Sequence, residues 1–477
     1  MTDPLTALAQ RARNASHILS SASTVQKNAA LAAVQEKLES CRAQILEAND
    51  LDKKGAASDK NLSSALVKRL DLSGDKFATL IQGLSEVQVV ADPVGVVSLA
   101  RELDQNLELY RVSCPIGVLC VIFESRPEAA VQIASLAIKS GNAVILKGGK
   151  EALNSNKILV ECIQSALEQV DLPRDCVQLV ATREDVGALL KLDKYIDLVI
   201  PRGGNALVRN VMDNTSIPVM GHADGICSVY VDKYASKEMA ENVVVDAKTQ
   251  YTAACNTAET LLIHRDSVAS LLPGIGKRLA AKGVKLHADA HCLPYLPKSC
   301  TVLAQEKDFR TEYLGLEMAV KMVDDVEAAI VHINEHGSHH TEVIITENEV
   351  NAERFMQAVG SAGVFHNASS RFADGFRFGF GAEVGVSTNR IHARGPVGLE
   401  GLLIYKYRLH GKGQCAGDYG IGAGQRHYTH RSIPMTSDRA PAVGTFAMEV
   451  AQQKKMLIIG SCSIVLAGMA FMIMRSS

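Results

Sequence analysis

From residue 5 to residue 87, Leu, Ala and Val recur at three- and four-residue intervals with Asp, Glu, Lys and Arg between them. That spacing predicts several packed helices. From Gly95 to Cys114 the pattern turns extended: Val96-Val-Ser-Leu-Ala and Leu107-Glu-Leu-Tyr-Arg-Val-Ser flank Asp104-Gln-Asn, which predicts a hairpin. Its alternation leaves an open edge suited to pairing with another subunit.

Between Pro115 and Val231 short apolar runs alternate with amphipathic ones. Strands are predicted at Ile116–Phe123, Ala143–Lys147, Val177–Val180, Leu198–Ile200, Pro218–Met220 and Ser228–Val231. Helices are predicted at Glu128–Ser140, Asn154–Glu168, Arg183–Leu192 and Asn205–Asn214. Such alternation implies a parallel sheet with helices on both faces. A second alternating region, 235–392, predicts another α/β domain, and 393–411 is again extended.

Beyond Gly413 the chain is polar and Gly-rich as far as Lys455. Met456–Met474 then carries no charge and lies between Lys454-Lys455 and Arg475. A helix of about 19 residues nearly matches the ~30 Å hydrocarbon core, which predicts a transmembrane anchor. Gly460 and Gly468 would weaken a buried helix in water, and the basic flanks suit a membrane. The span ends close to the C-terminus, so insertion is expected after synthesis, with the body in the cytosol. The mitochondrial outer membrane is favoured and the endoplasmic reticulum is second.

The chain has 477 residues, 47% hydrophobic and 21% charged, enough for two or three domains. A net charge of -2 argues against a general nucleic-acid binder. Eleven cysteines are scattered without a CxxC pair or zinc-like spacing, which predicts a reducing compartment and no structural metal. The N-terminal sequence has neither an apolar signal core nor the character of a matrix-import segment.

Candidate chemistry centres on Cys255 in Tyr251-Thr-Ala-Ala-Cys-Asn-Thr-Ala-Glu-Thr260. Small neighbours leave its sulfur accessible, and the thiol falls in a helix-to-strand loop whose N–H groups can face an oxyanion. A lone loop cysteine is more often an inert small hydrophobe, so its surroundings decide. Val144-Ile-Leu-Lys147-Gly-Gly-Lys150 ends a strand with two glycines and two lysines, where a doubly wound sheet binds nucleotides. Lys147 and Lys150 could meet an adenosine ribose or its 2′-phosphate, or could be solvated turn lysines. Leu198-Val-Ile-Pro-Arg202-Gly203-Gly204-Asn205 repeats the strand, glycine turn and helix arrangement. No strand-linked GxGxxG is present, since Gly379-Phe-Gly381-Ala-Glu-Val-Gly385 misses the spacing by one.

Several blocks together carry a specific resemblance: Ala329-Ile-Val-His332-Ile-Asn334-Glu-His336-Gly337-Ser338-His339-His340-Thr341-Glu342, Phe123-Glu-Ser-Arg-Pro127, Gly221-His-Ala-Asp-Gly225-Ile-Cys, Ala254-Cys-Asn-Thr-Ala-Glu-Thr-Leu-Leu262, and His392-Ala-Arg-Gly-Pro-Val-Gly-Leu-Glu-Gly401. Over roughly residues 1–434 the chain resembles the γ-glutamyl phosphate reductases of the aldehyde dehydrogenase superfamily, including the reductase half of eukaryotic pyrroline-5-carboxylate synthetases. The resemblance implies an α/β, aldehyde-dehydrogenase-like fold. Its cofactor domain would be 1–94 with 115–231, its β oligomerisation flap 95–114 with 393–411, and its catalytic domain 232–392. A polar linker (412–455) and the transmembrane tail (456–474) would follow. A homo-oligomer that binds a small-molecule substrate and no nucleic acid is implied.

The resemblance also assigns roles. Cys255 matches the nucleophile, with Ser125 and Asn256 beside it in the catalytic set. Lys147 matches the lysine on the adenosine ribose, Gly203 and Gly204 the glycines at the nicotinamide-side helix, and Glu312 the carboxylate on the nicotinamide ribose. Lys150 stands where NAD-preferring relatives carry a Glu, which implies NADP(H). Hydrolytic aldehyde dehydrogenases carry a Glu base where this chain has Val219-Met-Gly-His-Ala, so a thioester should survive until reduction. The superfamily's oxyanion Asn is not evident near Glu124-Ser125, which shifts that role to the Cys255 N–H. The family's Gly-Ile-Cys-His reads Gly225-Ile-Cys227-Ser228, removing a His. No metal is expected at His332, His336, His339 and His340, which are assigned to substrate anions or to holding a loop.

The implied reaction is NADPH-dependent reduction of L-glutamate 5-phosphate to the 5-semialdehyde, in proline biosynthesis. A separate glutamate 5-kinase is expected, because the chain starts directly at the reductase. The rivals are a hydrolytic NADP-dependent semialdehyde dehydrogenase and an inactive membrane-tethered scaffold.

Overall fold

The two alternating stretches fold as two separate parallel sheets. The computed structural model describes residues 3–58, 67, 69–180 and 184–435. Helices Pro4–Leu19, Thr24–Ser40, Arg42–Ser58 and Asp75–Val89 are, in this order, the first four with fully described bounds. The first two begin where the Asp3 and Ser23 side chains accept the N–H groups of Thr6 and Gln26, which satisfies donors a helix start leaves unpaired.

The predicted hairpin is β1 (Val97–Asp104) and β2 (Leu107–Pro115). Next comes the first parallel sheet, with β3 (Val118–Phe123), β4 (Ala143–Lys147), β5 (Val177–Leu179) and β6 (Leu198–Arg202) in the order β5-β4-β3-β6. Both faces are covered. Leu119, Val121 and Phe123 enter one apolar core with the second, third and fourth helices, while Val118, Cys120 and Ile122 enter another with Ala9 and Ala12. Alternate residues of one strand pointing into two cores is the period-two rule for a doubly covered sheet.

The second sheet contains β7 (Cys227–Val231), β8 (Ala258–His264), β9 (Lys285–Ala288), β10 (Thr301–Leu303), β11 (Glu317–Val323), β12 (Thr341–Ile345) and β13 (Gly363–His366). Its order is β10-β9-β11-β8-β7-β12-β13, all parallel. After it come β14 (Gly385–Ser387), β15 (Gly395–Val397), β16 (Leu403–His410) and β17 (Arg431–Ser432).

Some sequence expectations need correction. Pro218–Met220 forms a single bridge, Val199 to Val219, and not a strand, because Pro218 has no N–H for a ladder. The helix expected at Arg183–Leu192 is described as Glu184–Leu189. The extended run 393–411 divides into β15, a short 3-10 turn at Leu399–Leu402, and β16. Gly395, at φ +78°, takes a backbone conformation that a side chain would strain.

The flap is a four-stranded antiparallel sheet, β16-β2-β1-β17. Its fourth strand comes from what the sequence suggested was linker. Over its described part, 412–435, that segment packs back on the hairpin: Tyr419 Oη donates to Asp104 at 2.9 Å, and β17 pairs with β1. The rings of Tyr419, Tyr428 and His430 stack in series. Polar and Gly-rich composition hid this return because its partners lie some 300 residues upstream. Among the described residues no helix is long and apolar enough to cross a membrane, and the span 456–474 lies outside the described residues.

Candidate active site

Cys255 lies in the loop between helix Lys237–Thr249 and β8, as the hydrophobic pattern predicts. A buried ion pair clamps the ends of this loop. Lys248 Nζ meets Glu259 Oε2 at 2.5 Å with both side chains fully buried, and Glu259 Oε1 also accepts the Leu314 N–H. Burial pushes the Glu259 carboxyl up to about 7 and pulls the Lys248 ammonium down, so each needs the other to stay charged. Removing one partner of such a pair costs on the order of 3–5 kcal/mol.

The Cys255 backbone is held from beneath. Cys227 Sγ donates to its carbonyl at 3.3 Å, and a Cβ at Gly225 would overlap that same carbonyl, so only glycine lets the two segments touch. Burial raises the Cys227 thiol well above its ordinary range, which keeps it protonated and structural.

His340 faces the nucleophile. Its Nε2 is 3.2 Å from Cys255 Sγ, and its Nδ1 is 2.9 Å from Thr341 Oγ1. The preceding residue, His339, has φ +60°, and this left-handed step at the head of β12 precedes the buried imidazole. The His222 ring stands edge-on to His340 at 5.1 Å between centroids and hydrogen-bonds through Nδ1 to the Val386 carbonyl at 2.9 Å. The ligating atoms of His222, Cys255 and His340 all lie within 4.8 Å of one another.

Arg202, at the end of β6, and Arg371 both lie near enough to Cys255 to interact with its charge. Burial lowers both guanidiniums from their ordinary value, but an arginine has so high a starting point that they stay cationic. Glu312 accepts the Gly225 N–H, and burial raises its carboxyl. It therefore sits beside the segment that packs on Cys255.

A cavity of about 810 Å³ opens at the carboxyl edge of the first sheet. Phe123, Lys147, Lys150, Glu151, Lys191 and Leu207 are among its lining residues. The site fits a nicotinamide dinucleotide: three lysines offer cations, and the glycine turns let backbone come close. A Cβ at Gly203 would meet Glu124 Oε2 and Leu207 Cδ2, each at 2.6 Å. Gly204 opens helix Asn205–Asp213, and its N–H points to Glu124. Lys147 Nζ donates to the Gly148 carbonyl.

The chain matches the model of the aldehyde dehydrogenase family over residues 3–292. It is 51% identical to a γ-glutamyl phosphate reductase of Picosynechococcus sp. over 433 residues, 91% of this chain and all of the relative. A γ-glutamyl phosphate reductase of Trichormus variabilis is 50% identical over 426 residues, covering 89% of this chain and 97% of the relative. The crystal structure of the Thermotoga maritima γ-glutamyl phosphate reductase superposes with a TM-score of 0.84 at 40% identity, over 87% of this chain and the whole of that one. This chain belongs to the γ-glutamyl phosphate reductases, within the aldehyde dehydrogenase family.

In this member of the family, Lys147 and Lys150 line the cavity, Gly203 packs against its lining residues Glu124 and Leu207, and Glu312 gathers with Cys255 around Gly225. Ser125 and Asn256 are engaged elsewhere. The Ser125 N–H and Oγ both donate to Glu151 Oε1 at 2.7 Å, at positive φ, which puts Ser125 on the cofactor side. Asn256 Nδ2 donates to the Ala373 carbonyl at 2.9 Å, so its amide ties the nucleophile loop to a neighbouring segment.

The four histidines grouped in the sequence separate. His332 and His336 stack at 4.2 Å, and burial takes the His332 imidazole down to about 3, keeping it neutral beside Lys321. His340 alone of the four reaches Cys255 Sγ among the described hydrogen bonds. Sequence reasoning missed this pairing, as it missed Arg371. The signal available was the His340 position in the family block, which no spacing links to Cys255.

Proposed function

We propose that this protein catalyses NADPH-dependent reduction of L-glutamate 5-phosphate to L-glutamate 5-semialdehyde and phosphate, in proline biosynthesis. The observation that carries the mechanism is the 3.2 Å contact between Cys255 Sγ and His340 Nε2. His340 Nε2 takes the thiol proton, and the thiolate attacks the acyl carbon. The carbon–oxygen bond to phosphate breaks, leaving a thioester on Cys255, and Arg202 and Arg371 offset the charge of the departing phosphate. The nicotinamide cofactor, when bound, supplies hydride to the thioester carbon. The aldehyde leaves as the Cys255 thiolate re-forms, and the His340 imidazolium returns to that thiolate the proton it took at the start. The Cys255 backbone N–H is our choice of oxyanion donor.

The preference for NADPH rests on Lys150, with Lys147 and Lys191 on the same cavity wall, as cations for a 2′-phosphate. The hydrolytic alternative lacks a base: the Val219-Met-Gly-His-Ala segment puts His222, already bonded to Val386, where a glutamate would activate water. An acyl phosphate is made by phosphoryl transfer, so a glutamate 5-kinase is the partner this reading requires. The flap, whose edge strand β16 exposes Tyr405, Tyr407 and Leu409, is read as the contact of a homo-oligomer. From the sequence alone, Met456–Met474 is read as a tail anchor, with the mitochondrial outer membrane favoured over the endoplasmic reticulum.

Run in reverse, the purified protein should oxidise glutamate 5-semialdehyde with NADP only when phosphate is present. Equal turnover without phosphate would identify a hydrolytic dehydrogenase. No turnover under either condition would identify an inactive scaffold.

A further inference from the structure

We propose that Cys255, His340 and His222 form a binding site for a soft divalent cation, zinc by its chemistry, and that filling it reversibly switches the enzyme off. The site is defined by three atoms of the right kind in the right place. One thiol sulfur and two imidazole nitrogens lie within 4.8 Å of one another. Zinc takes sulfur at about 2.3 Å and imidazole nitrogen at about 2.0–2.1 Å, so two ligands on one tetrahedral ion stand on the order of 3.5 Å apart. The Cys255 Sγ to His340 Nε2 distance of 3.2 Å already meets this, and the His222 ligand atom lies within 4.8 Å of both.

The outer contacts of the two rings suit metal binding. His222 Nδ1 is hydrogen-bonded to the Val386 carbonyl, which only a protonated nitrogen can do, so its Nε2 keeps a lone pair. His340 Nδ1 is paired with Thr341 Oγ1, and its Nε2 is the nitrogen on the sulfur. A ligating histidine that spends its second nitrogen on a carbonyl or hydroxyl is the arrangement that fixes ring orientation in metal sites. Three protein ligands leave the fourth position to water.

Binding replaces the thiol proton: Cys255–SH plus Zn²⁺ gives the Cys255 zinc thiolate plus H⁺, with no change of oxidation state. The lone pair that would attack the acyl carbon is then held in the metal–sulfur bond. The second thiol nearby, Cys227, is fully buried and committed to the Cys255 carbonyl, so it does not supply the ligand.

Cobalt(II), added to the purified full-length protein, reports the site without any substrate and therefore independently of the proposed reaction. One equivalent per chain should produce the near-ultraviolet band of a cobalt thiolate. Cys255→Ala should abolish that band, and Cys227→Ser should keep it. His222→Gln and His340→Gln should each weaken cobalt binding at least about tenfold. Zinc should displace cobalt and stop turnover with the same midpoint, and a chelator should restore both. A band that persists in Cys255→Ala, affinity unchanged in both histidine variants, or zinc inhibition unaffected by chelation would overturn the proposal.

Discussion

Cys255 Sγ lies 3.2 Å from His340 Nε2, although 85 residues separate them in the chain. The first residue lies in the loop that feeds β8 and the second immediately precedes β12, two strands that both flank β7 in the second sheet. Parallel strands bring their like ends to one edge, so the nucleophile and its basic partner meet through topology and not through local sequence.

Replacing Cys255 with Ser should abolish turnover and leave NADPH binding, measured by fluorescence titration, close to normal, because a hydroxyl at its ordinary pKa is a far weaker nucleophile. Replacing His340 with Gln should lower kcat by about 10²–10⁴-fold and slow alkylation of Cys255 by iodoacetamide at neutral pH. An alkylation rate indifferent to the substitution would remove His340 from the activation step.

Lys150→Glu should shift cofactor preference toward NADH, because a carboxylate repels a 2′-phosphate and can accept a bond from a ribose 2′-hydroxyl. Lys150→Ala should produce a smaller shift. The ratio of kcat/KM for the two cofactors measures it, and an unchanged ratio in the Glu variant would leave Lys150 as a surface lysine.

Glu342 predicts a pH dependence of stability. Fully buried, it accepts the Ser228 N–H at 2.7 Å and the Ser361 hydroxyl at 3.1 Å, and burial pushes its carboxyl up to about 8. In the unfolded chain it ionises in the ordinary carboxyl range. Between those values the folded state binds the extra proton, so stability falls as pH rises, and the contribution is lost as pH passes about 8. Glu342→Gln should flatten this slope, raising Tm at about pH 9 while changing it little at about pH 5. Glu259, raised to about 7, leaves part of the slope in place. Parallel Tm curves for the two proteins would count against the argument.

Deleting residues 456–477 should release the protein from membranes with its specific activity unchanged. The measurement is sedimentation before and after alkaline carbonate extraction. Full-length protein found in the soluble fraction, or extracted by carbonate, would exclude an integral anchor.

Much of this organisation was legible in the hydrophobic pattern, and the exceptions share a cause. The strands β3, β4 and β6 are apolar runs buried on both faces, so they stand out in sequence. β17 is two exposed residues, Arg431–Ser432, whose strand character comes only from pairing with β1. Lys147 could be placed because it ends a strand, and Cys255 because it lies in the loop between two periodic elements. Arg371 could not, since it reaches the nucleophile from a 3-10 turn with no periodicity. Ser125 and Asn256 were placed by adjacency to informative residues, whereas their hydrogen bonds run to Glu151 and Ala373.

The attacking thiol and the dinucleotide cavity are built on different sheets, with Arg202 reaching from one toward the other. On the proposed reading, the lysines that would set electron-donor preference and the thiol that would carry the acyl group stand on different sheets. A protein engineer can therefore rework Lys150 and its turn without touching the loop that carries Cys255.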